Sequence, residues 1–197
     1  MAKVYDGISP KLAAWIEAQP MFFVATAPLS ADGFVNVSPK GTTGTFRVLG
    51  ERTFAYVDIT GSGVETLAHL RENGRICVMF CAFDGPPNIV RLHGSGRVVI
   101  NGEPGFDAAL ERFGEAGTSR RVQTRSVITV DVTRVSDSCG FAVPAMDLRA
   151  ERDLLDSWAV GKTPEMLDAY HAKKNATSLD GLPGVPADVR TAAPKGT

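Results

Sequence analysis

Stretches that alternate between apolar and polar residues recur along the chain, and each predicts a β-strand with one buried face. They cover residues 34–40, 88–100 and 125–135. Three further stretches of strand length are rich in apolar, β-branched or aromatic residues, at 21–25, 54–58 and 75–83. Gly94 and Gly96 interrupt the longest alternating stretch, which predicts a bulge or a sharply coiled strand there.

Helical spacing of apolar residues is less frequent. Residues 9–18 predict a short helix with Ser9 as N-cap and Pro10 in the first turn. A second helix is predicted to open at Ser62, with Glu65 three residues later completing a capping box. The remaining predicted helices span residues 103–113, 151–159 and 164–172.

Six or seven strands, mostly joined as hairpins, predict a mainly β protein with peripheral helices (α+β) built on an antiparallel barrel. A barrel of this length leaves a surface that a second subunit can complete. We expect one domain with C-terminal helices over residues 1–177. A Gly/Pro-rich tail at residues 178–197 is expected to have little to bury, and to be mobile or draped over a neighbour.

Composition narrows the classes of partner. The chain has 197 residues, 44% hydrophobic and 22% charged, with a net charge of −1, so no basic field favours nucleic acid or an anionic membrane. We expect a cytoplasmic protein, because the N-terminus lacks the apolar segment of a secretory signal and no apolar run could cross a bilayer. Three cysteines do not make a disulfide framework, and Cys77 and Cys81 are expected in the core.

A Gly-Ser-Gly turn between a strand and a helix is the first candidate for chemistry. Gly61, Ser62 and Gly63 would present free backbone N–H groups at the positive end of the helix dipole, which suits a phosphate. An ordinary capped connection between strand and helix explains the same residues and is the simpler interpretation. In that interpretation Ser62, Thr66, His69 and Asn73 form a solvated polar stripe on the helix.

A second candidate lies on the 34–40 strand, whose polar residues share one face. Asn36, Ser38 and Lys40 point one way, and the Lys40 ammonium could bind a phosphate. Tyr56 and Asp58 share a face on another strand and could join the same pocket. A solvated charge at a hairpin end is the alternative interpretation of Lys40.

One rival fold uses the same turn. Gly61-x-Gly63-x-x-Thr66 followed by Asp84 resembles a dinucleotide-binding fingerprint. Thr66 stands where a glycine is needed, and no second βα unit follows, so we do not favour it. No nucleophile–base motif can be identified, the three histidines lack metal-site spacing, and we assign no catalytic residue and no metal.

Four blocks of sequence, taken in order, carry a family resemblance. They are NVSPKG (36–41), AYVDITGSGVETLAHLRENGRI (55–76), FCAFDGPPNIVRLHGSGRVV (80–99) and SCGFAVP (138–144). Together they resemble the pyridoxamine 5′-phosphate oxidase-like, FMN-binding split-barrel family. Within that family they resemble the branch of small bacterial proteins described as related to pyridoxamine-phosphate oxidase. The resemblance covers residues 9–158 and implies a six-stranded antiparallel split β-barrel that forms a homodimer with FMN at the subunit interface.

The resemblance also implies which residues contact FMN. They are Asn36, Val37, Ser38, Pro39 and Lys40 beside the ring and ribityl chain; Tyr56, Asp58 and Thr60 on the adjoining strand; Gly61, Ser62, Gly63 and Thr66 at the phosphate; and Cys139, Gly140 and Phe141 covering the flavin from the partner subunit. Many members carry a lysine where Thr66 stands, so Lys40 is left as the cationic partner of the phosphate.

The function implied is that of an FMN-dependent oxidoreductase. Electrons would pass from a reduced nicotinamide or a reduced partner to a small acceptor. The basic cluster that the vitamin B6 oxidase uses for its phosphorylated substrate is not found. Two alternatives stay open, a deazaflavin (F420) cofactor in the same groove and a flavin-binding store or sensor without turnover. Cys139 is expected to pack in its loop, with a redox role as the alternative.

Overall fold

The structure is a computed structural model that describes residues 3–190, and within that range eight strands form one antiparallel sheet. The strands are β1 Val4–Tyr5, β2 Met21–Thr26, β3 Asn36–Gly41, β4 Phe46–Gly50, β5 Thr53–Ile59, β6 Arg75–Cys81, β7 Ile89–Ile100 and β8 Thr124–Ser138. The sheet order is β3-β2-β6-β7-β8-β5-β4, and β1 pairs separately with β8. Every strand pair within the described range is antiparallel, so the rival parallel fold is wrong.

The helices are few and lie around the sheet. They are α1 Pro10–Glu17, α2 Glu65–Asn73, α3 Phe106–Glu111, α4 Glu115–Thr118, α5 Leu154–Ala159, α6 Pro164–Lys174 and α7 Ala187–Arg190. Helix α1 begins as predicted, because the Leu12 N–H donates to Ser9 Oγ at 3.3 Å.

The sheet curls into a half-barrel around an aromatic interior, which confirms the predicted mainly β fold class with two more strands than the six expected. The β7–β8 register shifts between His93 and Gly94, which is the predicted bulge. Gly94 is needed there, because a Cβ would lie 2.1 Å from the Asp131 carbonyl oxygen. At the β4 edge of the sheet, the Val57 N–H donates to the Thr45 carbonyl oxygen at 2.7 Å, which extends the β4–β5 pairing by one residue beyond Phe46 and Tyr56.

The core has two layers because β5 is buried on both faces. Inside the half-barrel, the rings of Phe22, Phe46, Phe54, Tyr56 and Phe80 pack together. Outside, α3 covers β5 and β8 with a second cluster. That cluster comprises Ala55, Val57, Phe106, Leu110, Phe113 and Val127.

The start of α2 differs from the prediction. The helix begins at Glu65 with Val64 as N-cap, and no side chain caps it, so the Ser62 capping box is wrong. Thr66 and His69 are buried, so the solvated polar stripe is wrong as well. The physical reason is that the segment before the helix is held by side chains from distant parts of the chain.

The described part of the tail, residues 178–190, packs against the same subunit. Val185 is 3% exposed and lies with Val64, Leu67 and Ile100 in a third apolar cluster. The expectation that the tail has little to bury is therefore wrong for this part. Residues 191–197 of the predicted tail lie outside the described residues.

Candidate functional site

A buried ionic cluster lies under the Gly-Ser-Gly segment. Asp58, 1% exposed, binds Lys40 Nζ at 2.9 Å through Oδ1 and Arg125 Nη2 at 2.8 Å through Oδ2. Arg125 Nε donates to the same Oδ2 at 2.9 Å and Ser126 Oγ at 3.2 Å. Two cations therefore share one carboxylate in the interior, and the three groups carry one net positive charge.

Two opposing effects act on the pKa of Asp58. Burial would raise the pKa of this carboxyl, but the charges and hydrogen bonds of Arg125 and Lys40 hold it below its ordinary value. Asp58 is therefore ionised at neutral pH, and it is not available as a general acid or base.

The carbonyl groups of the Gly-Ser-Gly segment all turn toward buried donors. Arg125 Nη1 donates to the carbonyl oxygens of Gly63 at 2.6 Å and Gly61 at 3.4 Å. Asn175 Nδ2 donates to those of Gly61 at 3.0 Å and Ser62 at 3.3 Å. The carbonyl groups of Gly61, Ser62 and Gly63 are thereby all held on the side of the segment that faces the protein interior.

This arrangement fixes the direction of three backbone N–H groups. In a planar trans peptide the C=O of one residue is antiparallel to the N–H of the next. The inward carbonyls therefore direct the N–H groups of Ser62, Gly63 and Val64 to the other side, and we call these three groups the amide cradle. Within residues 3–190 none of the three donates a hydrogen bond; Ser62 and Gly63 are exposed, whereas Val64 is buried at the inner end of the cradle.

The amide cradle has the donor set and the setting of an anion site. Successive N–H groups on one side form a concave site for an anion, and the net positive charge of the ionic cluster lies behind it. Glu65 is the opposing feature, because a Cβ at Gly63 would lie 2.5 Å from Glu65 Oε2. The negative charge of Glu65 opposes the binding of an anion nearby, and a side chain at position 63 would clash with this carboxylate.

The polar side chains of β3 contact α2, and their hydrogen bonds go to other side chains of the same subunit. Asn36 Nδ2 donates to Thr66 Oγ1 at 3.0 Å and to Thr26 Oγ1 at 3.2 Å. Ser38 Oγ donates to Asn36 Oδ1 at 3.1 Å. His69 Nδ1 lies 3.0 Å from Thr26 Oγ1. These groups join β3 to α2, and none of the hydrogen bonds reaches the amide cradle.

Two other predicted contact residues are enclosed in the core. Tyr56 is fully buried, and its hydroxyl has no hydrogen-bond partner among residues 3–190. Burial and the Asp58 charge raise the pKa of Tyr56 well above its ordinary value, with Arg125 opposing them. Thr60 is buried with its Oγ1 3.0 Å from Nε2 of His171.

The rest of the predicted set divides between two surfaces. Val37 is 61% exposed and Pro39 is exposed, both on the side of β3 opposite to Asn36. Cys139 and Phe141 are exposed beyond the end of β8, whereas Arg125 lies at its beginning. Within one subunit the Cys139–Phe141 loop and the amide cradle are therefore at opposite ends of the longest strand.

Lys40, predicted as the cationic partner of the phosphate, is paired within its own subunit. Its ammonium is bound to Asp58, so it is not a free cation for a ligand. Sequence reasoning missed Arg125 and Asn175, which hold the segment in place. Neither residue had a local signal, because Arg125 lies at the start of a strand in which polar residues alternate with apolar ones and Asn175 follows a helix.

The cysteines and the acidic groups offer no metal site. Within the described range, no group of three or more His, Cys, Asp or Glu side chains could hold a metal ion.

Burial raises the pKa of the Cys77 and Cys81 thiols, with Arg91 opposing it. Cys81 is buried, as expected, and Cys77 is half-buried. None of the helices described is long and apolar enough to cross a membrane.

Solved structures share the general form of the chain. A FAD-binding protein from Mesorhizobium loti matches with a TM-score of 0.45 and 12% identity, covering 70% of this chain and 96% of that one. An FMN-binding protein from Syntrophomonas wolfei matches with a TM-score of 0.45 and 13% identity, covering 62% of this chain and 79% of that one.

Sequence comparison is decisive for the family. The family model described as pyridoxamine 5′-phosphate oxidase matches residues 8–139. The pyridoxamine 5′-phosphate oxidase family protein ustO of Aspergillus flavus is 40% identical over 200 residues, covering 94% of this chain and 79% of the relative. The chain therefore belongs to the pyridoxamine 5′-phosphate oxidase family.

Proposed function

We propose that the protein is a cytoplasmic FMN-binding flavoprotein, an oxidoreductase that acts on a small substrate and holds the cofactor's phosphate at the amide cradle. The amide cradle is the observation that carries the proposal. Three neighbouring N–H groups point to one side, in front of a cluster with one net positive charge. Membership of the family supports a flavin as the source of the phosphate.

The residues fit a phosphate through backbone donors and not through a free side-chain cation. Lys40 and Arg125 act from behind by adding positive charge, since both are bound to Asp58. Charge-assisted hydrogen bonds from N–H groups to phosphate oxygens are among the stronger ones. When bound, FMN would supply the redox chemistry, and this chain's residues would bind it, orient it and keep its surroundings dry.

We also propose that the protein is a homodimer, because β3 offers an edge that its own subunit leaves open. It lies at one end of the sheet order of the described residues. Phe34, Val35 and Val37 expose apolar side chains on or beside this strand, at 61% or more of their surface. Exposed apolar edge strands are unfavourable in water and usually pair or are covered. A partner subunit would cover this edge and bring its own Cys139–Phe141 loop to the cofactor.

The direct test is cofactor titration. We expect the purified protein to bind FMN with a visible flavin spectrum, and to bind riboflavin more weakly because riboflavin lacks the phosphate. A colourless protein that also takes up no added FMN would disprove the proposal. Tighter binding of F420 than of FMN would replace FMN by the deazaflavin.

Turnover and assembly are tested separately. Sustained oxidation of NADH or NADPH in the presence of a quinone or free flavin would distinguish an oxidoreductase from a pure flavin binder. For the dimer, Val37→Lys places a charge on the open strand edge, and light scattering should show a shift toward monomer. A wild-type protein that is monomeric at all concentrations would contradict the proposed interface.

A further inference from the structure

The amide cradle is held by residues from two parts of the chain. Arg125 lies within residues 8–139, which match the family model, whereas Asn175 lies outside them. The C-terminal segment thus contributes to the site from beyond the family-matched region.

We infer that Asn175 is a positioning residue that orients the amide cradle and so sets the affinity for the phosphate of the cofactor. The inference rests on the proposed function. Within the described residues, Asn175 Nδ2 is the only hydrogen-bond donor to the Ser62 carbonyl. That carbonyl shares a peptide plane with the Gly63 N–H, so the bond determines where the central donor of the cradle points.

The side chain can do this because its own backbone is held firmly. Asn175 is 0% exposed, its N–H donates to the His171 carbonyl at 2.7 Å, and its carbonyl accepts from the Val185 N–H at 2.8 Å. Gly184 allows this close packing, because a Cβ there would lie 2.1 Å from the Asn175 carbonyl oxygen.

The segment beyond Asn175 is anchored to the rest of the subunit at further points. Asp180 Oδ1 accepts from the Phe34 N–H at 3.0 Å, and its Oδ2 lies 3.4 Å from His69 Nε2. Val185 is buried against Val64, directly before α2. These anchors remain when a single side chain at position 175 is changed, so the segment stays in place and only the bonds to the carbonyls are lost.

The direction of the N–H groups matters more here than in a site with a free cation. A lysine ammonium can follow a phosphate that shifts, because its stem is flexible. A backbone N–H donates well only within a narrow range of angles. Because Lys40 is bound to Asp58, the cradle depends on directional donors, and loss of their orientation translates directly into lost affinity.

The test compares FMN with riboflavin in two variants at one position. Asn175→Ala removes the side chain, and Asn175→Leu keeps its approximate size but removes the donor. We expect both variants to bind FMN about tenfold more weakly, the size of one well-placed hydrogen bond, and riboflavin binding to be unchanged. Equal weakening of riboflavin, or wild-type behaviour of Asn175→Leu, would overturn the inference, since either result indicates a packing effect.

A matched control lies at the other end of α2. Asn73 Nδ2 donates to the Ala27 carbonyl oxygen at 2.9 Å, so Asn73→Ala also removes a bond from an asparagine to a backbone carbonyl. We expect FMN affinity within about twofold of wild type in this variant, as for a lost bond outside the site. A tenfold loss here would mean that FMN affinity reports general stability, and the inference would fail.

A measurement on the cofactor-free protein separates this inference from the proposed function. Inorganic phosphate added to ¹⁵N-labelled wild type should shift the amide signals of Ser62, Gly63 and Val64, and Asn175→Ala should reduce the shift at Gly63. Phosphate-dependent shifts in a wild type that does not bind FMN would reject the flavin proposal and keep the role of Asn175. Identical shifts in wild type and Asn175→Ala would reject the role of Asn175 alone.

Discussion

The aromatic interior of the half-barrel and the ionic cluster at its end are both buried, but they are held in different ways. In the interior, Phe22 packs against four other rings, with centroid distances of 5.0–5.6 Å. In the ionic cluster, Asp58 has two cationic partners, and each ion pair requires a specific distance and orientation of its two groups. Apolar packing shares its stabilisation among many contacts, whereas a buried charge depends on each partner.

This difference separates stability from function. When an aromatic side chain of the interior is replaced by a somewhat smaller apolar one, its neighbours can adjust and the strands keep their register. Loss of Arg125 would leave the buried Asp58 carboxylate with Lys40 as its remaining cationic partner, and the Gly61 and Gly63 carbonyls would lose this donor. We therefore expect the interior to tolerate conservative changes that the ionic cluster does not.

The largest expected effect is at Arg125. Arg125→Met should lower the free energy of unfolding by about 3 kcal/mol, the lower end of the range for breaking a buried ion pair, because Lys40 remains as a partner of Asp58. It should also abolish measurable FMN binding, because the Gly63 carbonyl loses its donor. Urea unfolding followed by circular dichroism measures the first effect and FMN titration the second.

Arg120 provides the control for Arg125. Its guanidinium binds Asp156 through two bonds of 2.9 and 3.1 Å, but the Asp156 side chain is 40% exposed. Arg120→Met should cost about 1 kcal/mol or less, as for other pairs near the surface. Equal losses in the two variants would show that burial does not distinguish these ion pairs.

The next effect is the dependence of stability on pH. The pKa of Asp58 is lowered in the folded protein, so its contribution is fully present above the ordinary aspartate pKa of about 4 and is lost as the pH falls below it. The loss should be on the order of 2 kcal/mol between pH 5 and strongly acidic pH, the size expected for one ion-paired carboxylate. Urea unfolding at a series of pH values measures it.

A charge-neutral variant tests the assignment of that pH dependence. Asp58→Asn should be less stable than wild type at neutral pH and should show a flatter profile below pH 5. The pKa of Asp156 is also lowered, chiefly by the hydrogen bond from Arg120, and Asp156→Asn is the control. If Asp156→Asn flattens the profile as much as Asp58→Asn, the ionic cluster is not the origin of the acid sensitivity.

A smaller effect is expected in the aromatic interior. Phe22→Leu should cost about 1–1.5 kcal/mol, because leucine keeps most of the apolar volume. FMN affinity should stay at the wild-type value, since Phe22 lies among rings away from the amide cradle. A variant that is stable but has lost FMN binding would contradict the separation of the two regions.

The smallest effect is expected at Cys139, which is exposed beyond β8. Cys139→Ser should change the free energy of unfolding by less than about 0.5 kcal/mol, as for most surface substitutions. If its role is packing, NAD(P)H oxidation by the variant should match wild type. A turnover lowered tenfold or more, with FMN still bound, would instead establish a redox role for this thiol.

Local patterns in the chain were sufficient to predict the fold class, most of the strands and the family. The period-two pattern of residues 88–100 and 125–135 predicted β7 and β8, and Gly94 predicted the bulge between them. These features depend on near neighbours in the chain, where spacing and residue type are sufficient. The four sequence blocks likewise identified the family that the comparisons confirm.

The construction of the candidate site depends on contacts between residues that are far apart in the chain. Lys40 pairs with Asp58 and is not free, and the carbonyls around Ser62 are held by Arg125 and Asn175, which lie more than 60 and 110 positions away. The local sequence favoured a capping box at Ser62. In the structure the Ser62 and Gly63 carbonyls instead accept from Asn175 and Arg125, and the helix begins at Glu65. Hydrogen bonds across such separations depend on which strands and segments become neighbours in space, and no local pattern carries that information.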